Sequence, residues 1–159
     1  MARPEKREFE QKVVDIARVT RVVAGGKRMR FRALVVLGDR KGRVGMAIKK
    51  GADVSEAVKK AATAAKKNMI RVPIIKGTIP HAVTYKYKAS KVMLKPAREG
   101  TGIIAGGAVR AVIDAAGVSN IVSKMFGSPN KINNVKAVFG ALQSLKVPKP
   151  AKTNSNSKS

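Results

Sequence analysis

The sequence has no cysteine and no tryptophan, a single histidine, and nine acidic residues against 34 lysines and arginines. Without cysteine there is no disulfide, no thiol nucleophile and no thiolate metal site. The acids stand singly from Asp39 onward, so neither a metal nor any other cofactor is expected. A serine triad would have only His81 to serve as its base, and that residue falls on the apolar side of an alternating stretch. No catalytic residue and no small-molecule substrate is therefore expected, and the chain reads as a non-enzyme. No apolar run approaches the roughly 18 residues that cross a bilayer, which argues against a membrane partner. The opening Met1-Ala2-Arg3-Pro4-Glu5-Lys6 lacks the apolar core of a secretory signal, so a cytoplasmic location is expected.

What is abundant is positive charge. The net charge is +25 on 159 residues, with a sequence pI near 11.2, above the roughly 9 that marks a nucleic-acid-binding domain. The charge is no detachable tail: residues 1–70 carry +12 and the rest +13. A compact body so charged repels itself and favours a polyanionic partner. At 44% hydrophobic the chain can bury a core. Two tyrosines and four phenylalanines offer little for stacking splayed bases, which favours structured RNA read through its backbone and shape.

Periodicity divides the chain into an expected flexible segment over 1–10, a first unit over 11–72, a second over 73–146, and a disordered basic tail over 147–159. The fold class expected is α+β. In the first unit, strands over 13–23, 28–37 and 43–48 form a meander, with the paired glycines Gly25-Gly26 as hairpin turn. Asp53 or Ser55 caps a helix to about Met69, its apolar stripe being Val54, Val58, Ala61, Ala65 and Met69. The second unit reads β-β-α-β-α, with strands over 81–88, 91–95 and 119–122, one helix from about Val109 that Gly117 ends, and a last helix after Asn130. One more strand is suggested around Ile74–Ile75, and Pro73 and Pro80 mark a boundary or an edge.

The first hairpin is the most informative basic element. A period of two puts Arg21, Arg28, Arg30 and Arg32 on one face, with Lys27 at the tip beside Gly25 and Gly26. Phe31, Ala33, Val35 and Leu37 then point to a core. Four guanidiniums on one face repel unless an anion lies across them, and the planar fork of arginine suits phosphate. Lys59, Lys66 and Lys67 on the helix, with Lys86 and Lys88 on the later strand, are further candidates for RNA contact; exposed lysines also commonly do no more than solvate a surface. The stretch Gly100-Thr101-Gly102-Ile103-Ile104-Ala105-Gly106-Gly107 matches a loose G-x-G-x-x-G dinucleotide pattern. It lacks the acid expected about 20 residues later, where Ser119-Asn120-Ile121 stands, so nucleotide binding is disfavoured. On the residues alone, a free-standing RNA chaperone and a nucleotide-dependent RNA-modifying protein both stay open beside a purely structural RNA-binding role.

Several motifs then appear in one order and spacing: Gly26-Lys27-x-x-x-Phe31-x-Ala33, Val36-Leu37-Gly38-Asp39-x-x-Gly42-x-Val44-Gly45, Asn68-Met69-Ile70, and Glu99-Gly100-Thr101-Gly102-Ile103-Ile104-Ala105-Gly106-Gly107-Ala108-Val109-Arg110. Over residues 11–146 the chain resembles the bacterial small-subunit ribosomal protein five family. The resemblance implies an N-terminal β-β-β-α domain akin to double-stranded-RNA-binding folds and a C-terminal two-layer domain with a left-handed crossover. It also implies small-subunit ribosomal RNA and ribosomal proteins four and eight as partners, a role in decoding accuracy, and a place lining the path of incoming messenger RNA. By resemblance the hairpin over 22–28 reaches RNA, while Gly102, Gly106, Gly107 and Arg110 face protein four; helical spacing puts Asp114 one turn on from Arg110, to hold it.

Overall fold

Alternating apolar residues and short turns bring the first three strands together. The computed structural model describes residues 9–146, so the expected tail over 147–159 and most of the expected flexible N-terminus lie outside the described residues. β1 (Glu10–Val23), β2 (Gly26–Gly38), β3 (Arg43–Gly51) and β4 (Met69–Arg71) form an antiparallel sheet in that order. α1 (Val54–Lys67) connects β3 to β4. The second sheet has the order β5 (Val83–Tyr87), β6 (Ser90–Pro96), β8 (Ile121–Gly127), β7 (Ile103–Ile104). α2 (Gly107–Ala116) links the parallel neighbours β7 and β8, and α3 (Lys131–Gln143) follows.

The layers run α1, first sheet, α2 with α3, second sheet. β2 presents Ala33 and Val35 to Ala57 and Ala61 of α1. Its opposite face presents Leu34 and Val36 to one continuous core that includes Val109, Val112 and Ile113 of α2 and Val135, Val138 and Leu142 of α3. The apolar core thus crosses from the first sheet into the second half of the chain.

Several details differ from the expectation. Phe9 and Glu10 are not a loose end: Glu10 opens β1, and Phe9 packs beside Leu37, Ala47 and Ala65, with the Arg43 guanidinium 5.2 Å from its ring centre. The hairpin turn is Ala24-Gly25 rather than Gly25-Gly26, because Val23 pairs with Gly26. Of the two glycines, Gly26 takes the positive φ, 147°. Val14 is an extra residue in β1, where the register against β2 slips between Val13 and Asp15.

The buried stripe of α1 is Ala57, Ala61 and Ala65, while Val54 is exposed. The helix has turned toward its smallest residues because it lies directly on sheet glycines. A Cβ on Gly51 would come 2.6 Å from the Ala57 nitrogen, and one on Gly45 would overlap the Ala65 carbonyl. Methyl side chains allow that approach, and a valine would hold the helix away. α1 ends before Met69, which begins β4, a strand the periodicity missed. The extra strand of the second half is β7, inside the glycine loop, whereas Ile75 makes only an isolated bridge to Thr78. β8 starts later than expected and runs to Gly127.

The β2–β3 turn locks the two halves. Arg40 N–H donates to the Ala115 carbonyl at 3.0 Å and Gly42 N–H to the Ala116 carbonyl at 2.8 Å, so this turn satisfies the last carbonyls of α2. Asp39 holds the turn by accepting from the Lys41 N–H, the Arg43 N–H and the Arg43 Nε.

Candidate nucleic-acid interface

The β1–β2 ribbon continues past the core. From Gly26 to Arg30 every residue of β2 is exposed, and Phe31 and Arg32 are half-buried. Arg28, Arg30 and Arg32 share the face of Leu34 and Val36, as the alternation requires. In the register found, Arg28 lies opposite Arg21, Arg30 opposite Val19, and Arg32 opposite Ala17. This is a shift of two residues from the expected pairing, which leaves the faces unchanged. On the other side of β2, Arg32 lies opposite Lys50 of β3. Lys50 therefore joins the arginine face, and with Val19, Val23, Arg28 and Arg30 it lines a cavity of about 150 Å³. Ending the third strand at Ile48 concealed Lys50, although the alternation Met46, Ile48, Lys50 carries it to this face.

The helix lysines belong to a different surface. Lys59 and Lys67 line a groove of about 590 Å³ with Lys49, Lys60, Thr63 and Asn68, between α1 and the edge of β3. Lys60 is engaged by Glu56 at 2.9 Å. The hydrogen bond from Lys60, with another from the Ala52 N–H, holds the Glu56 carboxyl below its ordinary pKa. Lys66 is exposed on the same helix. Lys86 and Lys88 lie on the second sheet and its first turn, apart from both groups, so the expected RNA-contact residues fall on three surfaces. Lys27 and Gly25 are exposed at the ribbon tip.

The glycine loop is held from within. Asn120 is buried, and its Oδ1 accepts from the Gly100 N–H at 3.2 Å and the Gly102 N–H at 3.0 Å. Two amides that a phosphate would need are thereby occupied by the side chain standing where a dinucleotide site would have an acid. Gly100 and Gly102 both have positive φ, 91° and 75°, and a Cβ on Gly102 or Gly107 would enter open space. Gly106 differs, since its missing Cβ accommodates the Met125 methyl.

Arg110 is exposed on α2, and Asp114 does not hold it. Asp114 instead accepts from Lys12 Nζ on β1, with Arg40 Nη2 at 3.7 Å. That hydrogen bond and the charges of Lys12 and Arg40 keep its carboxyl below the usual range against the opposing effect of burial, with Arg110 the smallest contributor. Burial alone would raise Asp39 too, but hydrogen bonds from Lys41 and Arg43 outweigh it and lower that carboxyl.

His81 is exposed and lies just before β5. Its Nε2 receives the Lys146 N–H at 3.0 Å, which leaves Nδ1 as the donor to the Ala82 carbonyl at 2.9 Å. It pins the chain just past α3, at Lys146, beside the start of β5. Among the described residues no group of three His, Cys, Asp or Glu is placed to hold a metal ion, and no helix is long and apolar enough to cross a membrane.

Residues 9–73 match the sequence model of ribosomal protein S5, N-terminal domain, and residues 85–155 that of ribosomal protein S5, C-terminal domain. The chain is 51% identical over 142 residues to the small ribosomal subunit protein uS5 of Chloroflexus aurantiacus, covering 89% of this chain and 80% of that one. It is 57% identical over 145 residues to uS5 of Mycoplasma mobile, covering 91% of this chain and 59% of that one. For uS5 of Thermotoga maritima the identity is 49% over 142 residues, covering 89% and 80%. With both domain models matched in order across an α+β chain built on two sheets, the protein belongs to the ribosomal protein S5 family.

Proposed function

We propose that this chain is a non-catalytic structural component of the small ribosomal subunit, that its β1–β2 ribbon binds small-subunit ribosomal RNA, and that its Gly102–Arg110 surface meets ribosomal protein four. The observation that carries the RNA reading is the cationic face of the ribbon: Arg28, Arg30, Arg32 and Lys50 together on strands that run beyond the core. A phosphate backbone laid across that face relieves the repulsion among the four cations and receives forked hydrogen bonds from arginine. Lys49 of β3 with Lys59 and Lys67 of α1 give a second cationic surface for phosphate. In this reading the chain also lines the messenger path and lies beside ribosomal protein eight, a placement that the family likeness supports.

The test is binding of the full chain to folded small-subunit RNA as a function of salt. With about six to eight phosphates neutralised, log K falls with log salt at a slope of roughly −4 to −7. Arg28→Ala with Arg30→Ala should leave the melting temperature unchanged and make the slope shallower by about one unit per lost phosphate contact. A wild-type slope shallower than about −2 would mean the charge is mostly solvated and would overturn the RNA reading.

The accuracy role rests on Gly102 and Arg110. The outward side of both is unoccupied within the described residues: a Cβ at Gly102 meets open space, although its positive φ makes any side chain there strained, and the Arg110 side chain makes no hydrogen bond with another described residue. A contact that loosens when the subunit closes on a paired transfer RNA is a two-state element, and biasing it by about 1 kcal/mol changes populations roughly fivefold. Gly102→Arg and Arg110→Leu should each raise stop-codon readthrough in cells relying on the altered protein, with normal subunit levels. Unchanged readthrough in both would remove this role.

A further inference from the structure

The geometry points to a bridging activity: this chain holds two base-paired RNA segments at once, one on each side of its first sheet. The inference rests on the reading that the cationic ribbon binds RNA, and adds a second, separate segment. Lys49 and Lys50 are consecutive in β3, so their side chains leave opposite faces of the sheet. Lys50 lines the cavity of Val19, Val23, Arg28 and Arg30, whereas Lys49 lines the groove of Lys59, Lys60 and Lys67. The cavity lies on the face that Leu34 and Val36 share, which α2 and α3 cover further along. The groove lies on the face of Ala33 and Val35, where α1 packs. One sheet therefore carries cations on both sides, separated by its own thickness.

Neither side is neutralised from within. Lys49, Lys59 and Lys67 in the groove, and Arg28, Arg30 and Lys50 in the cavity, form no ion pair with another described residue. The one pair at the groove is Lys60 with Glu56. Anions on one face leave the cations of the other face with no counter-charge of their own, so each side calls for its own polyanion.

One stem cannot serve both. A duplex bends sharply only at a cost, and the route from Lys50 to Lys49 turns through the thickness of a single strand. β4 pairs with β3 only at residues 43–45, so a slack single strand could pass round the open margin beyond them. The residues that hold a single strand are missing, however: neither the cavity nor the groove is lined by an aromatic side chain on which bases would stack. Base-paired segments are therefore the occupants, one to a face. Protein is the weaker match for the groove, since Ala64 is its one apolar residue and protein interfaces centre on larger apolar anchors. A chain that grips two stems supplies the positive charge between them and offsets the repulsion of their backbones.

The test uses the full chain, a fluorescent RNA hairpin and a biotin-tagged hairpin whose stems share no complementarity. Capture of the tagged hairpin on streptavidin should bring down the fluorescent one, and the yield should rise and then fall as chain is added in excess, as a two-site bridge requires. Sedimentation should show two hairpins on one chain. Arg28→Ala with Arg30→Ala, and separately Lys59→Gln with Lys67→Gln, should each weaken one face by more than about tenfold. Each pair should abolish co-capture while one hairpin still binds. These positions are exposed, and an unchanged melting temperature checks that the variants fold. Lys91→Ala with Lys124→Ala removes the same charge from the second sheet and should leave co-capture intact. One hairpin per chain at saturation, co-capture that survives both face variants, or an equal loss in the second-sheet variant would overturn the bridge. Polyglutamate that outcompetes a hairpin on the Arg28→Ala, Arg30→Ala chain would assign the groove to an acidic protein and overturn it too. Failure of the parent chain to bind either hairpin would instead overturn the RNA reading on which the bridge rests.

Discussion

The two halves of β2 carry the same alternation and have opposite surroundings. From Ala33 to Gly38 the strand is buried on both faces, with α1 against one and α2 against the other. From Gly26 to Arg30 it is exposed on both, and the positions that continue the Leu34 and Val36 face become Arg32, Arg30 and Arg28. The difference lies in what covers the strand. Helices of 14 and 10 residues reach across one end of the sheet and leave the other free. One strand is therefore both an anchor and a projecting cationic surface.

Glycine substitution separates the two ends most sharply. A Cβ on Gly38 would overlap the Ala115 carbonyl at the end of α2, a backbone group that cannot move aside while Arg40 N–H is bonded to it. Gly38→Val should cost more than about 4 kcal/mol, seen as a large fall in the denaturant midpoint or loss of a cooperative transition. Gly25 has open space around it, and Gly25→Ala should stay within about 0.5 kcal/mol of the parent. Equal effects would show that the two ends are not differently covered.

Side-chain truncation gives a smaller contrast. Leu34 is fully buried, and Leu34→Ala should cost about 2–5 kcal/mol by chemical denaturation. Phe31 lies at the junction of the halves and is only half-buried against the α1 cluster. Phe31→Ala should fall below the roughly 3–5 kcal/mol typical of a buried ring. A larger loss at Phe31 than at Leu34 would place the end of the core further along the ribbon.

The smallest effect concerns the joint that anchors the covered half. Asp114 and Asp39 are both held below the ordinary carboxyl value of 3.8. Folding therefore favours their ionised forms: the stabilisation is complete above the unfolded value and is lost as pH falls through the folded ones. Thermal stability should decline below about pH 4, and Asp114→Asn should flatten that decline while lowering stability at neutral pH. A variant with the parent's acid response would mean the Lys12 contact contributes nothing measurable.

Much of the architecture was legible in the residues. Alternation exposed the meander, Asp53 and Asn130 announced the starts of α1 and α3, and Gly117 marked the end of α2. The misses have physical causes. β4 and β7, of three and two residues, are too short to show a period and exist because a neighbouring strand pairs with them. The stripe on α1 was read from hydrophobicity, whereas close packing on Gly45 and Gly51 selects for small size. At the candidate interface the arginine face was readable because parity survives a two-residue register shift; Lys50 was not, because its membership depends on pairing with β3. Asn120 gave no signal, since a buried amide bonding a loop 18 and 20 residues away is a tertiary event.

By itself the sequence determined that this protein is basic in both halves, has an α+β pattern, contains no cysteine and so no thiol chemistry, and groups its arginines on one side of a ribbon. These follow from composition and from the two-residue repeat of a strand, which are local properties. Only the tertiary structure decided which end of that ribbon is covered, and that Asp114 serves Lys12 rather than Arg110. Each depends on which elements meet across many residues of chain, and that is set by the close approach of helices to glycines and by the reach of each helix over its sheet.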